Sequence, residues 1–336
     1  MRATRVRQQC FHPLARKLTG LAFAVFATLA IAQQGPGGYP NKAVRVVLPA
    51  APGSLTDPVG RIVTEELAKR TGQPWVIENR PGAGGIIGSD NVAKSAPDGY
   101  SLLFTANNFI ITPALYSGTV PYKVQEDFTP IGLAARADNL LVASRASGIN
   151  SIQELVAAAK KAPKGLDYTS PLLGSAAHLT VELFKRVAGI PLNHVAYKDA
   201  SQGTTDTLSG QIAVNIMGVS TALPHIQAGK LAPLAWTGEK RLASLPNTPT
   251  FVEAGFREVH MGLWFGYFGP AKMPAPLVSY INEQLNAALR SAAVTERLGK
   301  LTIETLPGTP ATLAETLKRE TPVYARIAAD TGLKLD

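Results

Sequence analysis

Cysteine is almost absent from this chain of 336 residues, in which Cys10 is the only one. A single cysteine cannot form an internal disulfide, which excludes the small disulfide-stabilised secreted modules. Charged residues make up 17% of the chain, and no lysine and arginine cluster is interleaved with aromatics, so we expect no nucleic-acid partner. The histidines at 178, 194, 225 and 260 show neither the H-E-x-x-H spacing nor a cysteine partner, so we expect no metal site.

The first 18 residues contain no acidic side chain. They carry five basic ones and precede an apolar run at residues 19–32 that ends in Ala30-Ile31-Ala32. A basic n-region, an apolar h-region and a cleavage site of small residues are typical of a secretory signal peptide. The run is shorter than the roughly 20 apolar residues of a membrane span, although a retained anchor is the alternative. We therefore predict a signal peptide over 1–32, cleaved near Gln33, and a protein located in the periplasm.

Cleavage would change the bulk properties of the chain. Cys10 would leave with the leader, and the formal charge of +9 would fall to +4 with the loss of the five basic residues. A mild positive charge suits anionic small molecules. The remaining length, about 300 residues, is typical of two domains.

Strand-like and helix-like segments alternate along the mature chain, which predicts an α/β fold with mainly parallel sheets. Ser151 and Glu154 have the spacing of a capping box and predict a helix start. Two alternating sets indicate two Rossmann-like lobes joined by crossings near 137–140 and 236–240. We predict lobe 1 over 33–138 plus 239–336, lobe 2 over 139–238, and a ligand cleft between them. The strands are predicted at 43–48, 75–79, 101–105, 131–136, 139–144, 166–170, 193–197, 212–217, 231–237 and 263–268, and the helices at 58–70, 85–95, 175–188, 200–209, 221–229, 275–290, 293–300 and 310–330.

The turn after the first strand is the first candidate binding loop. It combines two prolines, a glycine and two hydroxyls, and it opens a helix. The first amides of a helix lack intrahelical acceptors, so such a turn can bind an anion. Pro58 fits the first helical position, which makes Asp57 the predicted N-cap. A well-capped structural helix without a ligand is the alternative. The candidate ligand-binding residues here are Ser54, Leu55, Thr56 and Asp57.

A second candidate loop follows the strand at 166–170. Ser170, Gly174, Ser175 and His178 lie in this loop or in the first turns of the next helix, which we expect to face the cleft. For His178, a structural role at the helix terminus is equally open. Further candidates are Ala106 and Asn107 at the end of the third strand, and Met217 at the end of the strand before the helix at 221–229.

A glycine-rich turn, Gly82-Ala83-Gly84-Gly85-Ile86-Ile87-Gly88, also follows a strand and opens a helix. Its spacing does not match the G-x-G-x-x-G dinucleotide fingerprint, because Ile87 stands where the third glycine belongs. No acidic residue ends the following strand. We therefore expect a tight turn beside the cleft and no cofactor.

The chain resembles the periplasmic solute receptors of tripartite tricarboxylate transporters, known as Bug receptors, over essentially its whole mature length. The resemblance implies a type II periplasmic binding protein fold, a small organic carboxylate held between the lobes, and membrane transporter components as partners. An aromatic acid and a dicarboxylate are both candidate ligands, and we expect the protein to be a monomer. The matching motifs are Tyr39-Pro40, Ala51-Pro52-Gly53 with Thr56-Asp57, Glu78 to Gly85, Ala96 to Tyr100, Ala114-Leu115-Tyr116, Pro121-Tyr122, and Ala222 to Leu231.

Three departures from the family pattern affect the expected ligand. Ser54 and Leu55 replace a glycine and a serine, and the loop at 168–175 is more apolar because of Leu172 and Leu173. Met217 stands where many relatives have an aspartate, which would pair with an ammonium group. We therefore expect a ligand that is not an α-amino acid and that has an aromatic or aliphatic body. In the alternative, Met217 points into its own core.

Two other functions remain open. Ser170, Ser175 and His178 place hydroxyls and an imidazole in one region, which an exported hydrolase acting on a small carboxylate or ester could use. However, the chain has no G-x-S-x-G elbow and no acid obviously placed to orient the histidine. A soluble sensor that docks on a membrane kinase would share the same binding site. We expect a receptor and no enzyme.

Overall fold

The computed structural model describes residues 35–116, 120–197, 199–259 and 262–334. The predicted signal peptide lies outside them, as does His260. The strands are β1 Val44–Leu48, β2 Trp75–Asn79, β3 Ser101–Ala106, β4 Phe128–Ala137, β5 Asn139–Ser144, β6 Leu166–Thr169, β7 Leu192–His194, β8 Val214–Gly218, β9 Leu231–Trp236, β10 Leu263–Pro270 and β11 Glu304–Thr305. The helices are α1 Thr56–Thr71, α2 Ile86–Ala93, α3 Asn108–Leu115, α4 Ile152–Lys161, α5 Ala176–Ala188, α6 Ala200–Ser209, α7 Val219–Gln227, α8 Ala275–Leu289, α9 Ala292–Gly299 and α10 Pro310–Thr331.

The first sheet has the strand order β11-β4-β10-β3-β1-β2. Strand β1 pairs in parallel with β2 and β3, whereas β10 is antiparallel to both β3 and β4. Strand β1 is apolar except for Arg45 and is almost fully buried, as expected for a parallel strand covered by helices on both faces. This sheet and the helices packed on it form lobe 1.

The second sheet has the order β7-β6-β8-β5-β9 and forms lobe 2. Here β6 is parallel to β7 and β8, and β5 is antiparallel to β8 and β9. In each lobe, the strand that follows a crossing is inserted antiparallel into the sheet. The predicted α/β fold with two lobes is confirmed by this arrangement.

The chain crosses between the lobes at two places. The first crossing lies at Asp138, between β4 and β5. After β9, however, the segment 237–259 stays with lobe 2: Thr250 pairs with Trp236, and Phe251 and Phe256 pack on Phe184 of α5. On this packing we propose that lobe 2 ends near residue 259, whereas the sequence analysis expected its end at 238.

The C-terminal helix α10 links the two lobes. It packs on β4 and α3 of lobe 1 and also contacts α5 of lobe 2. Arg186 of α5 is ion-paired with Asp330 of α10. One hydrophobic cluster accordingly contains buried residues of both lobes, among them Leu183 and Ile327.

Two local predictions are wrong. Helix α1 begins at Thr56 with Leu55 as N-cap, so Asp57 lies in the first turn and is not the N-cap. Helix α3 was not predicted, since it contains Pro113 and a run of β-branched residues that disfavour helix.

Candidate functional site

The strand pairing determines where the lobes face each other. The last residue of β3, Ala106, pairs with Phe265 at the start of β10, just after the second crossing. The last residue of β8, Gly218, pairs with Asn139 at the start of β5, just after the first crossing. The carboxyl ends of the parallel strands in both sheets therefore lie at the crossings and face the space between the lobes. In open α/β sheets this is the position of ligand sites.

The lobe-1 loop, residues 49–55, joins β1 to α1 and is stabilised by Asp57. This carboxylate accepts hydrogen bonds from the Gly53 amide at 3.2 Å and from Asn79 Nδ2 at 3.0 Å. Arg61 contacts it at 2.9 Å. Burial raises the pKa of Asp57, but the bonds from Arg61 and Asn79 outweigh it, so the pKa is lowered and the group is ionised. The geometry gives Asp57 a structural role, and contact with a ligand stays a prediction.

The first turn of α1 retains hydrogen-bond donors for a ligand. The amides of Gly53 and Ser54 are used within the loop, by Asp57 Oδ2 and the Ala51 carbonyl. Within the described residues, the amides of Leu55 and Thr56 have no protein acceptor, and the buried Ser54 hydroxyl has no partner. Two free amides and a free hydroxyl therefore lie at the helix end that carries partial positive charge.

The lobe-2 loop, residues 170–175, repeats this design at the start of α5. Ser175 caps the helix by accepting from the His178 amide at 3.2 Å. Among the described residues, no protein acceptor binds the amides of Ala176 and Ala177. The predicted residues Ser170 and Ser175 are thus brought to the wall opposite the lobe-1 loop. Their hydroxyls, unlike that of Ser54, are already bonded to protein groups.

The partner of Ser170 is a histidine that the sequence analysis did not single out. The Ser170 hydroxyl lies 2.9 Å from His194 Nε2 and is buried. His194 ends β7, the strand beside β6, and Tyr168 is its register partner. The sequence predicted both strands but not the register between them, so it carried no signal for this contact.

His178 is buried and holds the lobe-2 loop through a hydrogen bond to its backbone. The Gly174 amide donates to its Nδ1 at 3.0 Å, so the proton is on Nε2, which lies 3.8 Å from Glu182 Oε1. Its ring stacks on that of His194 with 4.0 Å between centroids. Burial, with His194 and Lys185 nearby, lowers the pKa of His178 to about 3. The imidazole is therefore neutral, and the structural role left open for it is the one that the geometry supports.

Glu182 balances the charges beneath this histidine pair. Lys185 Nζ lies 2.8 Å from each of its carboxylate oxygens, and the Tyr168 hydroxyl donates to it. Burial also lowers the pKa of His194, although Glu182 acts in the opposite direction. The buried charge of Glu182 is thus compensated by Lys185, and both imidazoles remain uncharged.

The two predicted site residues at the end of β3, Ala106 and Asn107, make their contacts with other parts of the protein. Ala106 is buried in the core of lobe 1. Asn107 donates from Nδ2 to the Gly262 carbonyl and to the Tyr324 hydroxyl, both at 3.0 Å. It thereby joins the end of β3 to the start of β10 and to α10. Contact of either residue with a ligand stays a prediction.

Met217 belongs to a buried hydrophobic cluster of lobe 2 that also contains Leu140, Ala222 and Trp236. Its side chain packs beneath α7, which is the alternative that the sequence left open. Met217 therefore offers no surface to an apolar ligand. Three of the apolar side chains named above remain exposed at the two loops, namely Leu55, Leu172 and Leu173.

The glycines at residues 82–88 allow the start of α2 to pack closely against neighbouring segments. A Cβ on Gly88 would lie 2.8 Å from the Arg80 carbonyl oxygen and 2.8 Å from Pro49 Cβ, so only glycine allows this approach. Gly84 has a φ of 62°, and a Cβ there would meet Thr112 of α3 at 2.8 Å. The turn fixes α2 against the lobe-1 loop, as predicted for a tight turn.

A large cavity of about 570 Å³ lies elsewhere, beside the two crossings at the β4 and β11 edge. Several of its polar groups are paired with one another: Arg136 with Asp138, and Trp264 Nε1 with Glu320 at 2.8 Å. Burial raises the pKa of Asp138 despite the Arg136 partner. No predicted site residue lines this cavity. We place the candidate site at the two loops because each follows a strand end near the crossings and opens a helix whose first amides have no protein acceptor among the described residues.

Comparison with known proteins identifies relatives along nearly the whole chain. A sequence model described as "Tripartite tricarboxylate transporter family receptor" matches residues 59–330. Protein BugT of Bordetella pertussis is 33% identical over 298 residues, which cover 88% of this chain and 91% of that protein.

Solved structures agree with this assignment. A Rhodopseudomonas palustris protein described with adipate is 31% identical, with a TM-score of 0.72 over 88% of this chain and 99% of that one. MatC from the same organism, described with bound malate, is 28% identical, with a TM-score of 0.69 over 86% and 99%.

Proposed function

Because this chain belongs to the tripartite tricarboxylate transporter receptor family, we propose that it captures a small organic carboxylate between its two lobes and delivers it to the membrane components of such a transporter. The observation that supports the proposal is that α1 and α5, which follow β1 and β6 at the strand ends near the crossings, both begin with amides that have no protein acceptor among the described residues. A carboxylate is among the anions that helix N-termini bind. The structures of relatives with adipate and malate support the same ligand class.

The groups that would hold the ligand are the Leu55 and Thr56 amides and the Ser54 hydroxyl on lobe 1, and the Ala176 and Ala177 amides on lobe 2. The negative charge of Asp57 does not oppose this, because Arg61 contacts it directly. A ligand held by both lobes favours the closed arrangement, with bending at the first crossing, Asp138.

Thermal-shift screening of a carboxylate library tests the ligand class. A ligand that binds only the folded protein raises its melting temperature. We expect acids to raise it and the corresponding amides and alcohols to leave it unchanged. Equal shifts by acids and amides would show that the carboxylate is not what the protein recognises.

Solution scattering tests lobe closure. We expect a smaller radius of gyration with a saturating ligand identified in the screen than without it. The expected control is an unchanged profile with the amide of the same ligand. Identical profiles for the free and saturated protein would contradict closure.

The hydrolase alternative retains one observation in its favour, the 2.9 Å contact between Ser170 and His194. Ser170 is buried, however, and its neighbour His178 uses Nδ1 to bind a backbone amide. We propose binding without chemical change, which mass spectrometry of the recovered ligand tests. A sensor would be distinguished by co-purification with a membrane kinase.

The proposed location is the periplasm, where the family's receptors operate. None of the helices in the described segments combines the length and apolar character that a membrane crossing needs. N-terminal sequencing of the exported protein tests the cleavage predicted near Gln33. We further propose a monomer, which size-exclusion chromatography with light scattering can check.

A further inference from the structure

Large apolar side chains are exposed at few places on this molecule, and most of these are at the candidate site. Six large hydrophobic residues of the described segments are exposed. Four of them follow strands at the edge that faces the other lobe: Leu172 at 61%, Ile87 at 54%, Leu55 at 44% and Leu173 at 39%. The other two, Val76 and Val252, lie outside these loops.

The four side chains come from both lobes and flank the free amides. Leu55 is the N-cap of α1, and Ile87 is the second residue of α2, which packs against the lobe-1 loop. Leu172 and Leu173 lie in the lobe-2 loop, just before Gly174 and the N-cap Ser175 of α5. Apolar surface grouped in this way beside hydrogen-bond donors is typical of ligand sites, in which a few polar groups orient a mostly apolar molecule.

We propose that Leu55, Ile87, Leu172 and Leu173 form an apolar rim that contacts the hydrocarbon body of the ligand. The rim makes this receptor selective for carboxylates with an extended aliphatic or aromatic body over short hydroxylated acids. The inference rests on the proposed carboxylate function and adds the residues that determine specificity. The carboxylate binds at the helix amides, and the body extends along the leucines.

Calorimetric titration with straight-chain monocarboxylates from butanoate to octanoate tests the rim. Each methylene group buried against apolar surface should lower Kd about fourfold. The variant Leu172→Ser/Leu173→Ser should flatten this dependence on chain length while changing butanoate affinity little. The matched control is Val252→Ser, which replaces a side chain that is similarly exposed, at 41%, outside the loops and should retain the wild-type dependence.

The outcomes separate this inference from the proposed function. A chain-length dependence that survives in the leucine variant would overturn the rim. An equal loss of affinity for every acid in the leucine variant would also overturn the rim. That result would mean that the leucines contact the opposite lobe on closure and not the ligand. Acids that bind without any dependence on chain length, or library acids that bind when this series does not, would also overturn it. Failure of every carboxylate in the library would instead overturn the proposed function.

Discussion

The two cleft loops share a strand–turn–helix design but are stabilised by different chemistry. The lobe-1 loop depends on an ionised carboxylate, since Asp57 binds Gly53, Asn79 and a half-exposed Arg61. The lobe-2 loop depends on an uncharged imidazole, that of His178, which accepts from Gly174 in a buried setting. Substituting one partner of a partly solvated ion pair costs little stability, and salt weakens the pair. Substituting a buried neutral acceptor costs more, because its donor is left unpaired, and acid weakens the interaction by protonating the acceptor.

Removing the buried acceptor should have the largest effect. His178→Leu would leave the Gly174 amide unpaired inside the protein, and we expect it to lower the free energy of unfolding by about 1–3 kcal/mol. The variant His178→Asn supplies an amide oxygen in its place, so its loss should be smaller. Urea denaturation of both variants measures the difference. Equal losses would show that the hydrogen bond to Gly174 is not what matters.

Acid should weaken lobe 2 before it weakens lobe 1. The pKa of His178 is lowered to about 3 in the folded state, so below its unfolded value of about 6.5 the unfolded chain binds more protons. Stability is full above pH 6.5 and falls continuously toward pH 3, with about 2 kcal/mol lost at pH 5. The groups that face His178 are His194, Glu182, Lys185 and Tyr168.

Denaturation at several pH values between 6.5 and 5 measures this loss. Carboxylates whose pKa is lowered, such as Asp57, contribute to acid sensitivity only as the pH falls below about 4.5. His178→Asn should therefore flatten the dependence in this window, and His194, whose pKa is also lowered, contributes to the part that remains. An unchanged slope in His178→Asn would refute the assignment.

Neutralising the carboxylate of lobe 1 should have the smallest effect. Asp57→Asn keeps the shape and a hydrogen-bond acceptor but removes the charge opposite Arg61, so we expect a loss of about 0.5–1 kcal/mol. The difference from wild type should shrink in 1 M salt. Glu65→Gln, which removes an exposed partner of Lys69 and Arg297, is the matched control away from the cleft. A loss as large as that of His178→Leu would remove the contrast between the loops.

Alternation of strands and helices could be predicted because buried parallel strands are continuous apolar runs, as in β1. The position of β10 between β3 and β4 could not, since pairing between such distant segments leaves no local pattern. Helix α3 was missed because its stability comes from packing on α10 and not from its own residues.

The candidate site likewise has features that the sequence could predict and features that depend on tertiary structure. The sequence placed Ser54, Thr56 and Ser175 at helix starts, because turns that open helices have a local signature. It could not determine on which face of β8 Met217 lies, because both faces of that strand are buried. The Ser170–His194 contact depends on the register of β6 and β7, which no local pattern of three-residue β7 specifies.

The insertion of β10 into the first sheet has a consequence for the order of folding. Lobe 2 is a continuous stretch of chain and can form as soon as it has emerged from the ribosome or translocon. Lobe 1 cannot, because its central strand comes after the whole of lobe 2 and its pairs with β3 and β4 are long-range contacts. During synthesis, β3 and β4 therefore lack their shared pairing partner until β10 has been made. Lobe 1, which is encoded first, is consequently completed last.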